Sequence, residues 1–158
     1  MRQALTEIID PRSSERQTKY LVEVQREFQE LKRSLQALCG VFLLYRMKTV
    51  SDESPLVLAL KETQRWLAEA FEHLGSLESA EVDPAVHQRL IGACRVLQTA
   101  QQELVSLVER RLLQAYPSEI DNVLMRLQQA YAGLKDCALS SPSFEIVSLS
   151  CSCACAHH

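Results

Sequence analysis

Glycine, proline and aromatic residues are scarce in this chain of 158 residues. It has 4 glycines and 5 prolines, and phenylalanine, tryptophan and tyrosine together make up 6% of the sequence. The low glycine and proline content excludes a collagen-like or Pro/Gly-rich disordered chain. The small number of aromatic residues argues against a sandwich or barrel of short strands. With 47% hydrophobic residues, the sequence predicts one all-α domain.

A strong charge of one sign and a long hydrophobic run are also missing. The 17 basic and 20 acidic residues give a formal net charge of -3, which provides no general attraction to nucleic acid or to an anionic membrane. Thr6, Glu7 and Asp10 interrupt the N-terminal apolar positions before a signal-peptide core can form. The longest apolar run, residues 37–45, is far too short to span a bilayer. We therefore expect a soluble, cytoplasmic protein whose partner is neither nucleic acid nor a membrane.

The cysteines do not have the spacing of a disulfide framework. Three are scattered through segments with a helical pattern, where we expect small buried hydrophobic residues in a reducing compartment. The other three lie close together near the C-terminus. The two groups are Cys39, Cys94 and Cys137, and Cys151, Cys153 and Cys155.

Apolar residues recur at helical spacing over most of the chain. Residues 1–12 predict a short N-terminal helix that ends at Pro11. Ser14 and Gln17 form a capping-box pattern, which predicts the start of a long helix. Its apolar residues follow at intervals of three and four, close to the period of about 3.5 residues that favours knobs-into-holes packing, and Gly40 within it predicts a close helix crossing. The predicted core face is Tyr20, Val24, Phe28, Leu31, Leu35, Leu38, Phe42 and Tyr45.

Two cap-plus-proline pairs, Ser54-Pro55 and Asp83-Pro84, predict the starts of the second and third helices. The second helix is expected to end at Gly75 in a left-handed conformation, and the third to continue to Tyr116. With 3.6 residues per turn, the apolar residues of each of these two helices lie on a single face. These sets are Leu56, Leu60, Leu67, Phe71 and Leu74, and then Val86, Leu90, Ala93, Leu97, Leu104, Val108, Leu112 and Ala115.

A fourth helix is predicted to open at Ser118, with Asp121 three residues later, after Pro117 ends the third. Short connections between four helical segments predict an antiparallel up-down-up-down four-helix bundle over residues 13–139. Residues 140–158 predict a flexible tail. The expected core face of the fourth helix is Ile120, Leu124, Leu127, Tyr131, Leu134 and Ala138.

The helical part of the sequence predicts no catalysis. It has no GxGxxG, GxxxxGK or HExxH motif, so we do not expect an enzyme. Glu69 and His73 lie one helical turn apart, but a ferritin-like metal site needs such pairs on two helices, and His87 has no matching glutamate. We therefore expect Glu69 and His73 to form a solvent-exposed pair.

Basic pairs on the helices are expected to be ordinary surface with compensating glutamates. They are Lys32-Arg33 and Arg110-Arg111. The heptad-like face of the first long helix is compatible with partner binding or dimerisation, but a role in the core of its own bundle is favoured.

Residues 148–158 concentrate sulfur and imidazole groups. Three cysteines alternate with small residues, and two histidines follow. Thiolate and imidazole ligands favour Cu(I) or Zn(II) over the oxygen-preferring calcium and magnesium. This alternation resembles the CxC motifs of metallothioneins, and the resemblance implies soft-metal binding by Cys151, Cys153, Cys155, His157 and His158.

The same segment has a second interpretation. Each of three serines precedes a cysteine by three residues, which resembles the Ser/Cys core of precursors to ribosomally made, post-translationally modified peptides. The resemblance implies that the bundle is a leader and that a modifying enzyme acts on Ser148, Ser150, Ser152, Cys151, Cys153 and Cys155.

We favour a non-enzymatic bundle that docks a protein partner and presents a tail that binds Cu(I) or Zn. We expect no other cofactor. The modified-peptide precursor is the first alternative. A helical adaptor or oligomerisation module with an inert tail is the second, and self-association is compatible with all three.

Overall fold

A computed structural model describes residues 11–47, 54–77, 84–110 and 116–140. These segments are almost entirely helical and contain no strand, which confirms the predicted all-α class. None of the described helices is long and apolar enough to cross a membrane. Most of the predicted N-terminal helix, over residues 1–10, and the predicted tail, from residue 141 onwards, lie outside the described residues. The four helices are α1 (Pro11–Met47), α2 (Ser54–Ser76), α3 (Pro84–Glu109) and α4 (Pro117–Ser140).

Two helix boundaries differ from the predictions made at proline and glycine. Pro11 is already helical and is the first described residue of α1, so the long helix does not begin at Ser14 as predicted. Gly75 lies within α2, which continues to Ser76, so the predicted left-handed stop is wrong. The predicted extension of α3 beyond Glu109 falls partly on residues 111–115, which are outside the described part of the chain.

The start of α4 is capped by a different set of residues from the predicted one. Pro117 is its first residue, and the backbone N–H of Tyr116 donates to Oε2 of Glu119 at 3.1 Å. Nη1 of Arg110 donates to the other carboxylate oxygen at 2.8 Å. The Arg110 bond first, and the Tyr116 bond second, hold the pKa of Glu119 below its ordinary value. Glu119 therefore acts as the third-position residue of a capping box, and the predicted start at Ser118 is wrong.

The core faces of the first three helices agree with the sequence pattern. All eight predicted residues of α1 are buried. In α2 four of the five are buried and Phe71 is partly buried. In α3 every predicted core residue in the described range is buried. The alternation of three- and four-residue steps thus located the core of these helices correctly.

The core face of α4 is rotated relative to the prediction. Tyr131 is 38% exposed, and Ile120 and Leu124 are only partly buried. Alanines replace the larger side chains on the buried face, because α4 packs closely on α3. A Cβ added at Gly133 would lie 3.7 Å from Cβ of Ala93, whereas one added at Gly40 would meet nothing within 4 Å, so the predicted close crossing at Gly40 is wrong. The buried face of α4 is Val123, Leu127, Ala130, Leu134, Cys137 and Ala138.

Contacts between successive helices pair increasing residue numbers on one helix with decreasing numbers on the next. α1 packs on α2, α2 on α3 and α3 on α4, and α1 also contacts α3 and α4. The core therefore lies chiefly among α1, α2 and α3, with α4 held against α3. The contacts that define the pairings are Glu27–His73 and Arg33–Trp66, Leu60–Gln101 and Leu67–Cys94, and Glu103–Arg126 and Arg110–Glu119.

Two leucines of α2 provide a matched test of this core. Leu67 is 1% exposed and Leu58 is 63% exposed. Leu67→Ala should lower the free energy of unfolding by about 2–5 kcal/mol, because it leaves a cavity. Leu58→Ala should change it by less than about 0.5 kcal/mol. Urea denaturation followed by far-ultraviolet circular dichroism measures both, and equal losses would contradict the assigned core.

Candidate functional site

The side chains predicted to bind metal or to be modified all lie outside the described residues. Among the described residues, no group of three or more histidine, cysteine, aspartate or glutamate side chains is placed to hold a metal ion. The three scattered cysteines are free thiols. Cys94 and Cys137 are buried, as expected, and Cys39 is partly buried. The residues outside the description are Cys151, Cys153, Cys155, His157 and His158, with Ser148, Ser150 and Ser152.

An open cleft with a volume of about 210 Å³ lies between α1 and α2. Residues one helical turn apart on each helix share a face, so charged side chains from both helices meet here around one tryptophan. The small side chain of Ala70 also lines the cleft. The charged and aromatic residues at its rim are Arg26, Glu30 and Arg33 from α1, and Arg65, Trp66 and Glu69 from α2.

Glu27 and His73 join the two helices on the buried side of this cleft. Glu27 is 4% exposed, and its Oε1 lies 3.0 Å from Nδ1 of His73. The His73 side chain is 52% exposed. A carboxylate only accepts hydrogen bonds, so Nδ1 of His73 carries the proton and donates it. The bond orients the ring and leaves Nε2 for other interactions.

The predicted pairing of His73 with Glu69 is therefore wrong. Both residues line the cleft, but the imidazole bonds to Glu27 of the neighbouring helix. A buried carboxylate gains more from a charge-assisted hydrogen bond than an exposed one does, because water competes less for it. The spacing within one helix could not reveal this partner, which lies 46 positions away along the chain.

Three arginines and three glutamates line the cleft, so its formal charge is balanced, but among the described side chains these groups form no close ion pair with each other. The guanidinium of Arg33 lies 4.2 Å from the centre of the Trp66 ring, a cation–π contact. Within the described segments, none of Arg26, Arg33 and Arg65 has a carboxylate within 4.0 Å. Arg33 is exposed, as predicted, and Glu30 lies one helical turn before it, but its close contact is with Trp66.

A second set of polar groups lies inside the core, at every seventh residue of α3. Nε2 of Gln101 donates to a backbone carbonyl of α2 at 3.2 Å, and Sγ of Cys94 does so at 3.5 Å. His87 interacts with the α2 backbone at Leu74, an interaction that raises the pKa of the imidazole against the larger effect of burial. Both the side chains and their backbone partners recur at seven residues, as in knobs-into-holes packing. The bonds join Cys94 to Leu67 and Gln101 to Leu60, and the His87 interaction is with Leu74.

Three α1 residues at the same seven-residue spacing extend this set of α3 residues. The six residues together are called the buried polar ladder below. Tyr20, Glu27 and Ser34 precede His87, Cys94 and Gln101, respectively, by the same number of positions. The Tyr20 hydroxyl lies 3.0 Å from Nδ1 of His87, and the two rings stack with centroids 6.1 Å apart. The Oγ of Ser34 is buried and has no hydrogen-bond partner in the described part of the structure.

Cys94 occupies the middle of the buried polar ladder, and its thiol is unreactive. Burial, and secondarily the negative charge of Glu27, raise the pKa of its thiol to about 12. A thiol with so high a pKa carries almost no thiolate at neutral pH, and the thiolate is the reactive form. Cys94 is therefore a packing and hydrogen-bonding residue in the folded protein.

The cleft and the buried polar ladder offer different chemistry. The cleft presents guanidinium groups and an oriented imidazole to solvent. Within the ladder, Tyr20 pairs with His87, and Cys94 and Gln101 bond to the α2 backbone, so these contacts align α1, α2 and α3. The chain matches no family model, no curated protein and no solved structure.

Acid should destabilise the fold through His87. Burial lowers its pKa from 6.5, and the bond to the Leu74 backbone opposes that effect. The unfolded chain therefore takes up the proton first as the pH falls, so the His87 contribution is complete above about pH 6.5 and declines below it. From about pH 7.5 to about pH 5.5, the free energy of unfolding should fall more in wild type than in His87→Gln. Urea denaturation measures this difference, and parallel pH profiles would contradict the assignment.

Proposed function

We propose that this chain is a non-enzymatic helical docking protein whose C-terminal Cys/His segment binds a soft metal ion, Cu(I) or Zn(II), in the cytoplasm. The observation that supports docking is a group of exposed apolar side chains at one end of the helices. The composition of residues 151–158 supports metal binding. The two activities use separate parts of the chain and can be tested separately.

The helices are proposed to form the antiparallel up-down-up-down bundle that the short connections predict. The inverse numbering of the contacts between successive helices supports this arrangement. It places the C-terminal ends of α1 and α3 and the N-terminal end of α2 together. The C-terminal end of α4, from which residues 141–158 continue, lies at the opposite end.

The docking surface is proposed to be the apolar end, defined here as Leu43, Leu44, Met47 and Leu58. All four side chains are exposed. Leu43 and Met47 lie one turn apart on α1 and share a face. Single exposed apolar residues are common on soluble proteins, but a local concentration of large ones is typical of an interaction site.

A small groove between α2 and α3 supports the same choice. Its volume is about 120 Å³, and Val57, Val105 and Val108 line it together with charged residues at its edge. In the proposed bundle it lies at the level of the apolar end. An apolar side chain of a partner would fill such a pocket, and anchors of this kind supply most of the binding energy in protein interfaces.

Metal binding in the tail would follow from thiolate chemistry. Cys151, Cys153 and Cys155 would bind as thiolates and release their protons, and His157 or His158 would bind as a neutral imidazole. Because protons compete for the same atoms, the apparent affinity should weaken as the pH falls.

Replacing the three tail cysteines should abolish metal binding. The variant Cys151→Ser, Cys153→Ser, Cys155→Ser should lose bound Cu(I) or Zn(II) and keep the circular dichroism of the helices. Native mass spectrometry of anaerobically prepared protein measures the bound metal, and Cys39→Ser is the control because that thiol lies on α1. Stoichiometric metal in the triple variant would contradict the proposal.

The same mass measurement separates the alternatives. A covalent mass change confined to residues 148–155, in protein from its own cells, would favour the modified-peptide precursor. An unmodified, metal-free mass would favour the adaptor with an inert tail.

Polar substitution at the apolar end should weaken partner binding. Partners are first identified by cross-linking in the native cells and then purified. Leu43→Ser combined with Met47→Ser should raise the dissociation constant at least about tenfold. Val22→Ser is the control, because Val22 is equally exposed near the other end of α1.

Deletion of residues 144–158 should leave this affinity unchanged. Calorimetry with the purified partner measures all three changes. Equal affinities for wild type and the Leu43/Met47 double variant would exclude the apolar end as the docking surface.

A further inference from the structure

The cleft between α1 and α2 has no role in the proposed docking or in the tail. Arg26 and Arg33 lie seven residues apart on α1 and therefore near one face, and Arg65 reaches the same cleft from α2. Within the described segments no carboxylate pairs with any of the three. The planar, permanently charged guanidinium group matches the geometry of phosphate oxygens. The cleft thus has unused donors suited to an anion.

His73 adds a polar group whose orientation is already fixed. Glu27, almost fully buried, accepts the bond from Nδ1 at 3.0 Å. With the proton on Nδ1, Nε2 is an acceptor and can take a hydrogen bond from a P–OH or hydroxyl group of a ligand. A phosphate at Nε2 would then lie across the imidazole from the Glu27 carboxylate. Because the ring need not be reoriented, less conformational entropy is lost on binding than with a mobile side chain.

Glu30 and Glu69 restrict the class of anion. They line the same cleft, and as carboxylates they only accept hydrogen bonds. They repel a ligand that is anionic throughout, and they accept hydrogen bonds from hydroxyl groups. A volume of about 210 Å³, open to solvent, suits a small molecule. These features together favour a phosphate group attached to a body that carries hydroxyl groups.

We propose that the cleft between α1 and α2 binds a small phosphomonoester carrying hydroxyl groups, such as a sugar phosphate. Arg26, Arg65 and His73 contact the phosphate, and Glu30 and Glu69 accept hydrogen bonds from the hydroxyl groups. Arg33 remains stacked on Trp66 and forms one wall. The site is independent of the docking and metal-binding functions proposed above.

Trp66 provides the measurement. It is the single tryptophan of the chain, it lines the cleft and it carries the cation–π contact with Arg33. The full chain is titrated with glucose 6-phosphate at constant ionic strength, followed by Trp66 fluorescence and by calorimetry. One site per chain is expected, with a fluorescence change that saturates at the calorimetric stoichiometry.

Two matched variants test the assignment of the arginines. Arg26→Gln combined with Arg65→Gln should weaken binding at least about tenfold, since two charge-assisted contacts are lost. Arg46→Gln should leave it unchanged, because Arg46 is exposed on the same helix outside the cleft. Circular dichroism and urea denaturation verify that each variant folds. Equal weakening by Arg46→Gln and by the double variant would overturn the proposal, because it would show general charge attraction.

Three probes test the ligand class. Glucose, which lacks the phosphate, should not bind, and inorganic phosphate should bind more weakly than glucose 6-phosphate. Inorganic phosphate that binds as tightly as the sugar phosphate would overturn the role of Glu30 and Glu69. A phosphoserine peptide that binds where glucose 6-phosphate does not would overturn the small-molecule assignment. Absence of any saturable signal up to about 10 mM, about ten times the 1 mM dissociation constant of weak binding, would overturn the site itself.

Discussion

The alignment of α1, α2 and α3 is determined by polar groups buried at seven-residue intervals. An apolar stripe alone permits two helices to slide by one heptad, because every knob then meets an equivalent hole. In this molecule such a slip would separate His87, Cys94 and Gln101 of α3 from their backbone partners on α2. A buried donor without an acceptor is costly. The buried polar ladder therefore selects one alignment, and the cleft depends on it, because Glu27 belongs to the ladder and also orients His73.

The sequence predicted the parts of the fold that depend on repetition within one helix. The stripe from Tyr20 to Tyr45 is buried throughout, because each of its members is large and apolar. On α4 the prediction was right only in part: Leu127, Leu134 and Ala138 are buried, but Ala130 and Val123 also face the core and Tyr131 does not. A core face chosen from periodicity consists of large apolar side chains, whereas close packing of α4 on α3 favours small ones. Gly133 beside Ala93, and not Gly40, marks that close approach.

The polar groups could not be placed by the same approach, because their partners lie on other helices. Glu69 is the obvious partner of His73 by spacing, and the structure provides Glu27 instead. A signal was nevertheless present in the sequence. Tyr20, Glu27 and Ser34 repeat at seven residues, as do His87, Cys94 and Gln101, and these positions alternate with the apolar stripes. Polar residues in strict heptad register with an apolar stripe are candidates for the core.

The burial of Cys94 has a consequence for the dynamics of the bundle. With a pKa of about 12, its thiol reacts with alkylating reagents only when α2 and α3 separate far enough to admit water and restore ordinary acidity. The rate at which Cys94 is modified therefore reports how often that interface opens. Because the sulfur bonds to Leu67 in the middle of α2, this modification rate reports openings that reach the centre of the molecule. It is insensitive to fraying at the helix ends.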